Sequence, residues 1–275
     1  MTPAQAIEDR HWQALLAGVS SRVPPPPTQT PALTPMQPPT LPLTAPTSPL
    51  QALYAPLLAA RAQGPFAVGH LAQSLDGRIA ISNGRSRWLS GAEDLLHTHR
   101  MRALADAVLV GASTVLLDDP QLTVRQCAGA NPVRVILDPE RRLDGSQRVF
   151  CDGAAPTLLL VAEGRGRADE CHGLAEVVPL PRGACGGLAP QAIRQALARR
   201  GLTCLFIEGG GITVSRFLAA GALDRLQITV APVILGSGRP GIALPEITDL
   251  CHSLRPRTRH FTLGEDVMIE CDFRG

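Results

Sequence analysis

The chain has 275 residues, 26 basic against 24 acidic side chains for a net charge of +2, and 45% hydrophobic content. That balance excludes a nucleic-acid-binding polycation, and no apolar run reaches the ~20 residues that a membrane-spanning helix requires. The length suits one large domain or two small ones, and the N-terminal MTPAQAIEDRHWQALLAGVS places acids early with no basic stretch before an apolar core, so a cytoplasmic protein without nucleic-acid or membrane partners is expected.

In chain order, Ile7, Trp12, Leu15 and Leu16 fall near one face of a short helix over 5–18. From 21 to 49 the sequence is mostly Pro, Thr, Leu and Ala. Proline fixes φ and removes a backbone donor, so this stretch reads as an extended linker. Helical spacing returns over 50–63, with a break or kink expected near Pro56. Gly64-Pro65 then punctuates the chain. The expected division is an N-terminal extension, 1–63, followed by a compact domain, 64–275.

Within that domain, strands are expected at 66–72, 79–81, 107–110, 133–137, 157–161, 204–207 and 226–231. Several are continuous apolar runs, the pattern of buried parallel strands. Ser90 should cap a helix over about 92–104, with Glu93 completing a capping box. A helical segment or a tight turn is expected at 114–117, helices at 190–200 and 213–220, and a closing hairpin over 261–273. Strands alternating with helices give an α/β domain with a mixed, mostly parallel sheet and a C-terminal antiparallel hairpin.

Absences narrow the chemistry. There is no lysine, so every basic residue is arginine, and the single tyrosine, Tyr54, lies outside the compact domain. A P-loop lysine, a Schiff-base lysine and a Tyr/Lys reduction pair are all excluded. The seven cysteines contain no C-x-x-C pair, and His97 and His99 at i, i+2 make a poor metal pair, so no metal site is expected. Three constellations remain. Glu208-Gly209-Gly210-Gly211 sits between a strand and a helix, where backbone amides and the helix dipole suit an anion. Ser86-Arg87-Trp88 places an aromatic plane in a polar turn. Arg102, Asp118 and Arg125 surround two strand ends, and an arginine fork suits phosphate or carboxylate.

The runs SLDGR (74–78), GRSRW (84–88), RALADAVLVGASTVLLDDPQLTVR (102–125) and FIEGGG (206–211), in that order, closely resemble the C-terminal reductase domain of the riboflavin biosynthesis protein RibD, a domain similar in fold to dihydrofolate reductase. The resemblance covers about 65–273. It implies NADPH-dependent reduction of 5-amino-6-(5-phosphoribosylamino)uracil to its ribitylamino product, carried out by a homodimer. It assigns Ala72, Trp88, Thr114, Asp118, Gly210, Gly211, Ile212, Thr213, Val214, Ser215 and Arg216 to the cofactor, and Ser86, Arg102, Leu122, Arg125 and Glu208 to the substrate. Asp76 and Gly77 fall in the shared turn as structural support.

Those roles agree with the chemistry of the residues. Arg102 and Arg125 can neutralise a substrate phosphate, and hydride transfer to the sugar C1 of a ring-opened imine depends on positioning more than on a strong acid or base. The proton donor stays open between Glu208, Asp118 and water. RibD proteins usually carry a zinc deaminase with H-x-E and P-C-x-x-C signatures. Neither occurs here, so a stand-alone reductase with a separate deaminase in the pathway is expected. Two alternatives fit the same motifs: a reductase of a related pyrimidine or pterin, and a non-catalytic nucleotide-binding module. Arg141, Arg142, Arg165 and Arg167 lie in loops after strands, as candidates for a cofactor 2′-phosphate.

Overall fold

The computed structural model describes residues 3–19, 48–86, 89–183 and 186–274. The expected linker therefore lies almost entirely outside the described residues, and Trp88 lies outside them too. The chain forms two compact units, Met1–Pro65 and Phe66–Gly275.

The first unit contains α1 (Pro3–Ala17) and α2 (Pro49–Ala62). Trp12 packs edge-on against Tyr54, with ring centroids 5.7 Å apart. Ser48 caps α2 by accepting the Gln51 amide at 3.2 Å, and Pro49 occupies the first turn, where its missing donor costs nothing. The helix continues through Pro56 instead of ending there.

In the second unit the elements follow as β1 (Phe66–Ser74), β2 (Arg78–Ile81), α3 (Ala92–Leu104), β3 (Ala107–Gly111), α4 (Ala112–Asp118), β4 (Val133–Leu137) and the short α5 (Arg148–Cys151). After these come β5 (Thr157–Ala162), β6 (Cys171–His172), β7 (Ala175–Leu180), α6 (Pro190–Ala198), β8 (Cys204–Glu208), α7 (Gly211–Ala219), β9 (Arg225–Ala231) and β10 (Gly238–Pro240). A 3-10 turn (Leu250–His252) precedes the closing strands β11 (Arg257–Leu263) and β12 (Asp266–Asp272). Among the described residues, ten strands form one sheet in the order β11-β12-β9-β1-β8-β3-β4-β5-β7-β6. The run from β9 to β7 is parallel, and β12, β11 and β6 are antiparallel. This is the expected α/β class.

Both faces of the sheet are covered, which explains the unbroken apolar runs. On β1, Ala67 and Leu71 join a core with Leu205, Ile207, Val214 and Phe217, whereas His70 on the other face meets Phe206 and the α3 side chains His97 and Asp94. β5 is buried along its whole length. β7 is not legible in the sequence, because Glu176 and Pro179 interrupt its apolar pattern. Pro179 is tolerated because β6 pairs only with Ala175 and Glu176, so the far half of β7 is an edge.

α3 spans the expected residues, but its cap and the start of α7 differ from expectation. The capping position of α3 is Gly91, not Ser90; its amide donates to Asp266 at 2.7 Å, while the Ser90 hydroxyl donates instead to Asp94 at 2.7 Å. α7 begins at Gly211 because Gly210, at φ +63°, reverses the chain directly after β8. The hairpin also starts earlier, at Arg257, in a stretch too polar to show apolar alternation.

The turn after β1 is pinned by one carboxylate. Asp76 accepts the Ser74 hydroxyl and the amides of Leu235 and Gly236, which ties it to the loop after β9. The Ser74 hydroxyl and then the Leu235 amide hold its carboxyl down to about 2. A depressed folded-state pKa means that the contribution is complete above the ordinary carboxylate value and is lost as pH falls through about 2. Denaturant midpoints between pH 5 and pH 2, as rough bounds of that window, should therefore fall less steeply for Asp76→Asn than for wild type.

Candidate active site

A cavity of about 1380 Å³ opens at the carboxyl ends of β1, β3, β4 and β8. This is where a parallel sheet presents its loops to ligands, and the volume exceeds that of an ordinary small-molecule pocket, roughly 300–1,000 Å³. Two strand-to-helix turns face each other across it. One runs from β3 into α4 and contributes Gly111, Ala112, Thr114 and Asp118; the other runs from β8 into α7 and contributes Glu208 to Thr213. They approach closely: a Cβ on Gly210 would lie 3.4 Å from the Thr114 hydroxyl, and one on Gly211 would collide with the carbonyls of Pro240 and Gly241. The Thr213 amide donates to the Gly210 carbonyl at 2.9 Å, and the first two amides of α7, those of Gly211 and Ile212, belong to residues on the cavity wall, an arrangement suited to a pyrophosphate.

Glu208, the last residue of β8, is gripped by Arg102 from α3. Nε of Arg102 donates to Oε2 at 2.8 Å, Nη2 donates to Oε1, and Nη1 donates to the Thr123 carbonyl at 3.0 Å. All three arms of Arg102 are thus committed, and Arg102 is not part of the cavity wall, whereas Glu208 and Arg125 are. Arg125 donates Nη1 to the Thr123 hydroxyl at 2.7 Å, and its amide donates to Nδ1 of His99 at 2.9 Å. His99 must be neutral at Nδ1 to accept that proton. Burial, then the charges of Arg102 and Arg125, push its pKa down to about 4.

The segment carrying Thr123 and Arg125 is aimed by unusual backbone. Asp119 and Leu122 have φ of +38° and +55°, the left-handed region that side chains adopt only under external constraint. Asp119 is held there by Arg148, whose amide and Nε donate to its carboxylate at 2.8 and 3.0 Å. Leu122 is buried and lies outside the cavity wall.

Of the other predicted residues, Ala72, Ser86, Thr114, Asp118, Gly210, Gly211, Ile212, Thr213 and Arg216 line the cavity. Val214 faces the apolar core, and Ser215 accepts the Ala243 amide at 2.9 Å, which fixes the loop after β10 against α7.

Residues 65–269 match the model of the RibD C-terminal domain. The chain belongs to this family. It is 35% identical over 223 residues to the 2,5-diamino-6-ribosylamino-4(3H)-pyrimidinone 5′-phosphate reductase of Methanothermobacter thermautotrophicus, covering 77% of this chain and 99% of that protein. It is 34% identical over 207 residues to the riboflavin biosynthesis protein RibD of Aquifex aeolicus, covering 74% of this chain but 57% of that one. Among solved structures, a Thermotoga maritima diaminohydroxyphosphoribosylaminopyrimidine deaminase/5-amino-6-(5-phosphoribosylamino)uracil reductase superposes with a TM-score of 0.64 at 28% identity, covering 78% of this chain and 58% of that one. The chain thus spans nearly all of the archaeal relative and somewhat more than half of the two bacterial ones.

This RibD-type domain also uses residues that the motifs did not reveal. Asp94, on the cavity wall, accepts from Ser90 and from Thr229 at 2.6 Å and meets Nε2 of His70 at 3.1 Å. Burial would raise its pKa, but His70 and the two hydroxyls together hold it below the usual carboxylate range. The one sequence signal was a histidine inside the apolar run FAVGHLA, which demands a partner.

Removing Arg102 strands a partly buried carboxylate. Arg102→Ala should lose about 3 kcal/mol in denaturant unfolding, and adding Glu208→Gln to it should recover part of that loss; an unchanged stability in the single variant would show that the pair is idle. For His99, a depressed folded-state pKa gives stability that is complete above its ordinary value and is lost as pH falls toward about 4. NMR titration should find the His99 ring neutral throughout the physiological range.

Proposed function

We propose that this chain is an NADPH-dependent reductase of a ribosylaminopyrimidine 5′-phosphate, converting the ribosyl group to the ribityl chain in riboflavin biosynthesis. The observation that carries this reading is the pairing, in one cavity, of an amide cradle at α7 with the Glu208 and Arg125 corner. A cradle of this kind suits the pyrophosphate of a dinucleotide, and the open space beside Gly209 leaves room for it. NADPH would supply the hydride for C1 of the ring-opened sugar imine, and a proton completes the adjacent nitrogen.

The roles of the chain's own groups follow from their partners. Arg125 takes the substrate phosphate. Glu208, fixed by Arg102 through both oxygens, serves as an acceptor that orients sugar hydroxyls. Asp118, on α4 across the cavity, is the carboxyl group assigned to proton delivery. Ser86 and Thr114 complete the walls beside the substrate and the cofactor. The domain proposed to carry this chemistry is 64–275, with 1–63 as an extension, and the working form is read as a cytoplasmic homodimer served by a separate deaminase. No helix among the described residues is long and apolar enough to cross a membrane.

The main reading takes 5-amino-6-(5-phosphoribosylamino)uracil as substrate. A second reading takes the pyrimidinone that still carries its 2-amino group, favoured by the name of the archaeal relative that this chain matches over nearly its full length. Purified protein with NADPH and each pyrimidine in turn separates them by the loss of nicotinamide absorbance. Arg125→Ala should raise the KM for the pyrimidine about tenfold or more, the size expected for a charged hydrogen bond, with a smaller change in kcat. Asp118→Asn should lower kcat. Absence of NADPH oxidation with both pyrimidines would overturn the reading.

A further inference from the structure

Among the described residues, the carboxyl groups on the cavity wall are those of Asp94, Asp118 and Glu208. Glu208 is neutralised by Arg102 through both oxygens. Asp94 is held differently: its partners among the described residues are two hydroxyls and an imidazole, with no guanidinium. Burial works against its charge, and His70 with the hydroxyls of Thr229 and Ser90 preserves it. An ionised carboxylate only accepts, so Nε2 of His70 must carry the proton in their contact. Oδ1 thus takes two donors, from His70 and Thr229, and Oδ2 takes one, from Ser90. Of the roughly four acceptor sites of a carboxylate, one is left, on Oδ2. Leu89, Ala92 and Leu95 belong to the same wall. A buried carboxylate with an unfilled site among such neighbours favours an N–H donor and repels a carbonyl oxygen.

Helix α3 sets how far this carboxylate lies from the Glu208 and Arg125 corner. Asp94, Thr98 and Arg102 fall at i, i+4 and i+8, on one face of the helix. Arg102 holds Glu208, and Asp94 lies two turns away, about 12 Å along the helix axis. That span is on the scale of an open-chain pentose with its phosphate. A substrate with its phosphate at Arg125 and its sugar hydroxyls at Glu208 therefore brings its pyrimidine ring to Asp94.

We propose that Asp94 accepts an N–H from the C2 substituent of the pyrimidine, so that the chain prefers the pyrimidinone that keeps its 2-amino group over the corresponding uracil. An amino group at C2 donates to the vacant site, whereas a carbonyl oxygen there faces the carboxylate as a second acceptor. The two compounds share the phosphate, the sugar and the 5-amino group, so the ranking depends on this one contact. The inference rests on the reading of the cavity as a reductase site for ribosylaminopyrimidine phosphates, and it adds the residue that ranks the two substrates.

Calorimetric titration of each pyrimidine phosphate in the presence of NADP+, which permits no reduction, reads binding alone, and kcat/KM with NADPH reads the same ranking in turnover. Wild type should bind the 2-amino compound about tenfold or more tightly than the uracil, as expected for one charged hydrogen bond. Asp94→Asn should abolish or reverse that ratio, because the hydroxyls of Ser90 and Thr229 can rotate to suit an amide whose N–H then meets the C2 carbonyl. An unchanged affinity for NADP+ reports that this variant is folded. Ser90→Ala keeps the charge and frees a second site on Oδ2, so the preference should persist or grow. Equal binding of the two compounds by wild type, a preference for the uracil, a preference lost in Ser90→Ala, or an Asp94→Asn variant that weakens both alike would overturn the role of Asp94. If wild type binds and reduces neither pyrimidine, the reductase reading itself falls.

Discussion

The ion pair between Arg102 and Glu208 joins three parts of the chain that are remote in sequence: α3, the end of β8 and, through the Thr123 carbonyl, the loop after α4. An arginine is suited to this because its planar fork can satisfy a carboxylate with two arms and a carbonyl with a third. Burying such a pair adds little stability over an apolar alternative, but leaving half of it unpaired is costly. The pair therefore acts chiefly on geometry. It fixes Glu208 on the cavity wall and holds the Arg125 loop beside it, while His99 and the left-handed Leu122 restrict how that loop can move.

That geometry depends in turn on the sheet. β1 lies between β8 and β9, and β8 is followed by β3, so Ala72 near the end of β1, Glu208 at the end of β8 and α4 with Asp118, which follows β3, meet at the carboxyl ends of neighbouring strands. Register places His70 opposite Glu208, and His70 in turn contacts Asp94 on α3. Backbone pairing, buried polar contacts and the cavity wall are thus consecutive layers of one arrangement. The glycine turn before α7 completes it, because a side chain at Gly211 would drive away the loop after β10.

Much of this was legible in the sequence where a single physical signal dominated. Continuous apolar runs marked β5 and β8 because both sheet faces are covered, and the glycine triplet marked the reversal into α7. Signals failed where a distant partner decided the outcome. Ser90 has the chemistry of a cap, yet its hydroxyl donates to Asp94, and the amide of the next residue, Gly91, is held by Asp266. β7 is a strand despite Pro179 because its far half is an edge. Arg102 was expected to face a substrate phosphate, and its commitment to Glu208 is visible only once the two are brought together across 106 residues. The arginines after β4 looked alike until their carboxylate partners were placed, and only Arg142 then faced the cavity.

The central claim is that the two halves of the cavity bring a reduced dinucleotide and a ribosylaminopyrimidine phosphate together for direct hydride transfer. The most direct measurement uses NADPH labelled with deuterium at the transferable nicotinamide position, with mass analysis of the pyrimidine product. The account predicts a ribitylamino product that carries the label at the former sugar C1. Oxidation of the cofactor without label in the product, or a reduced product labelled only from solvent, would contradict it.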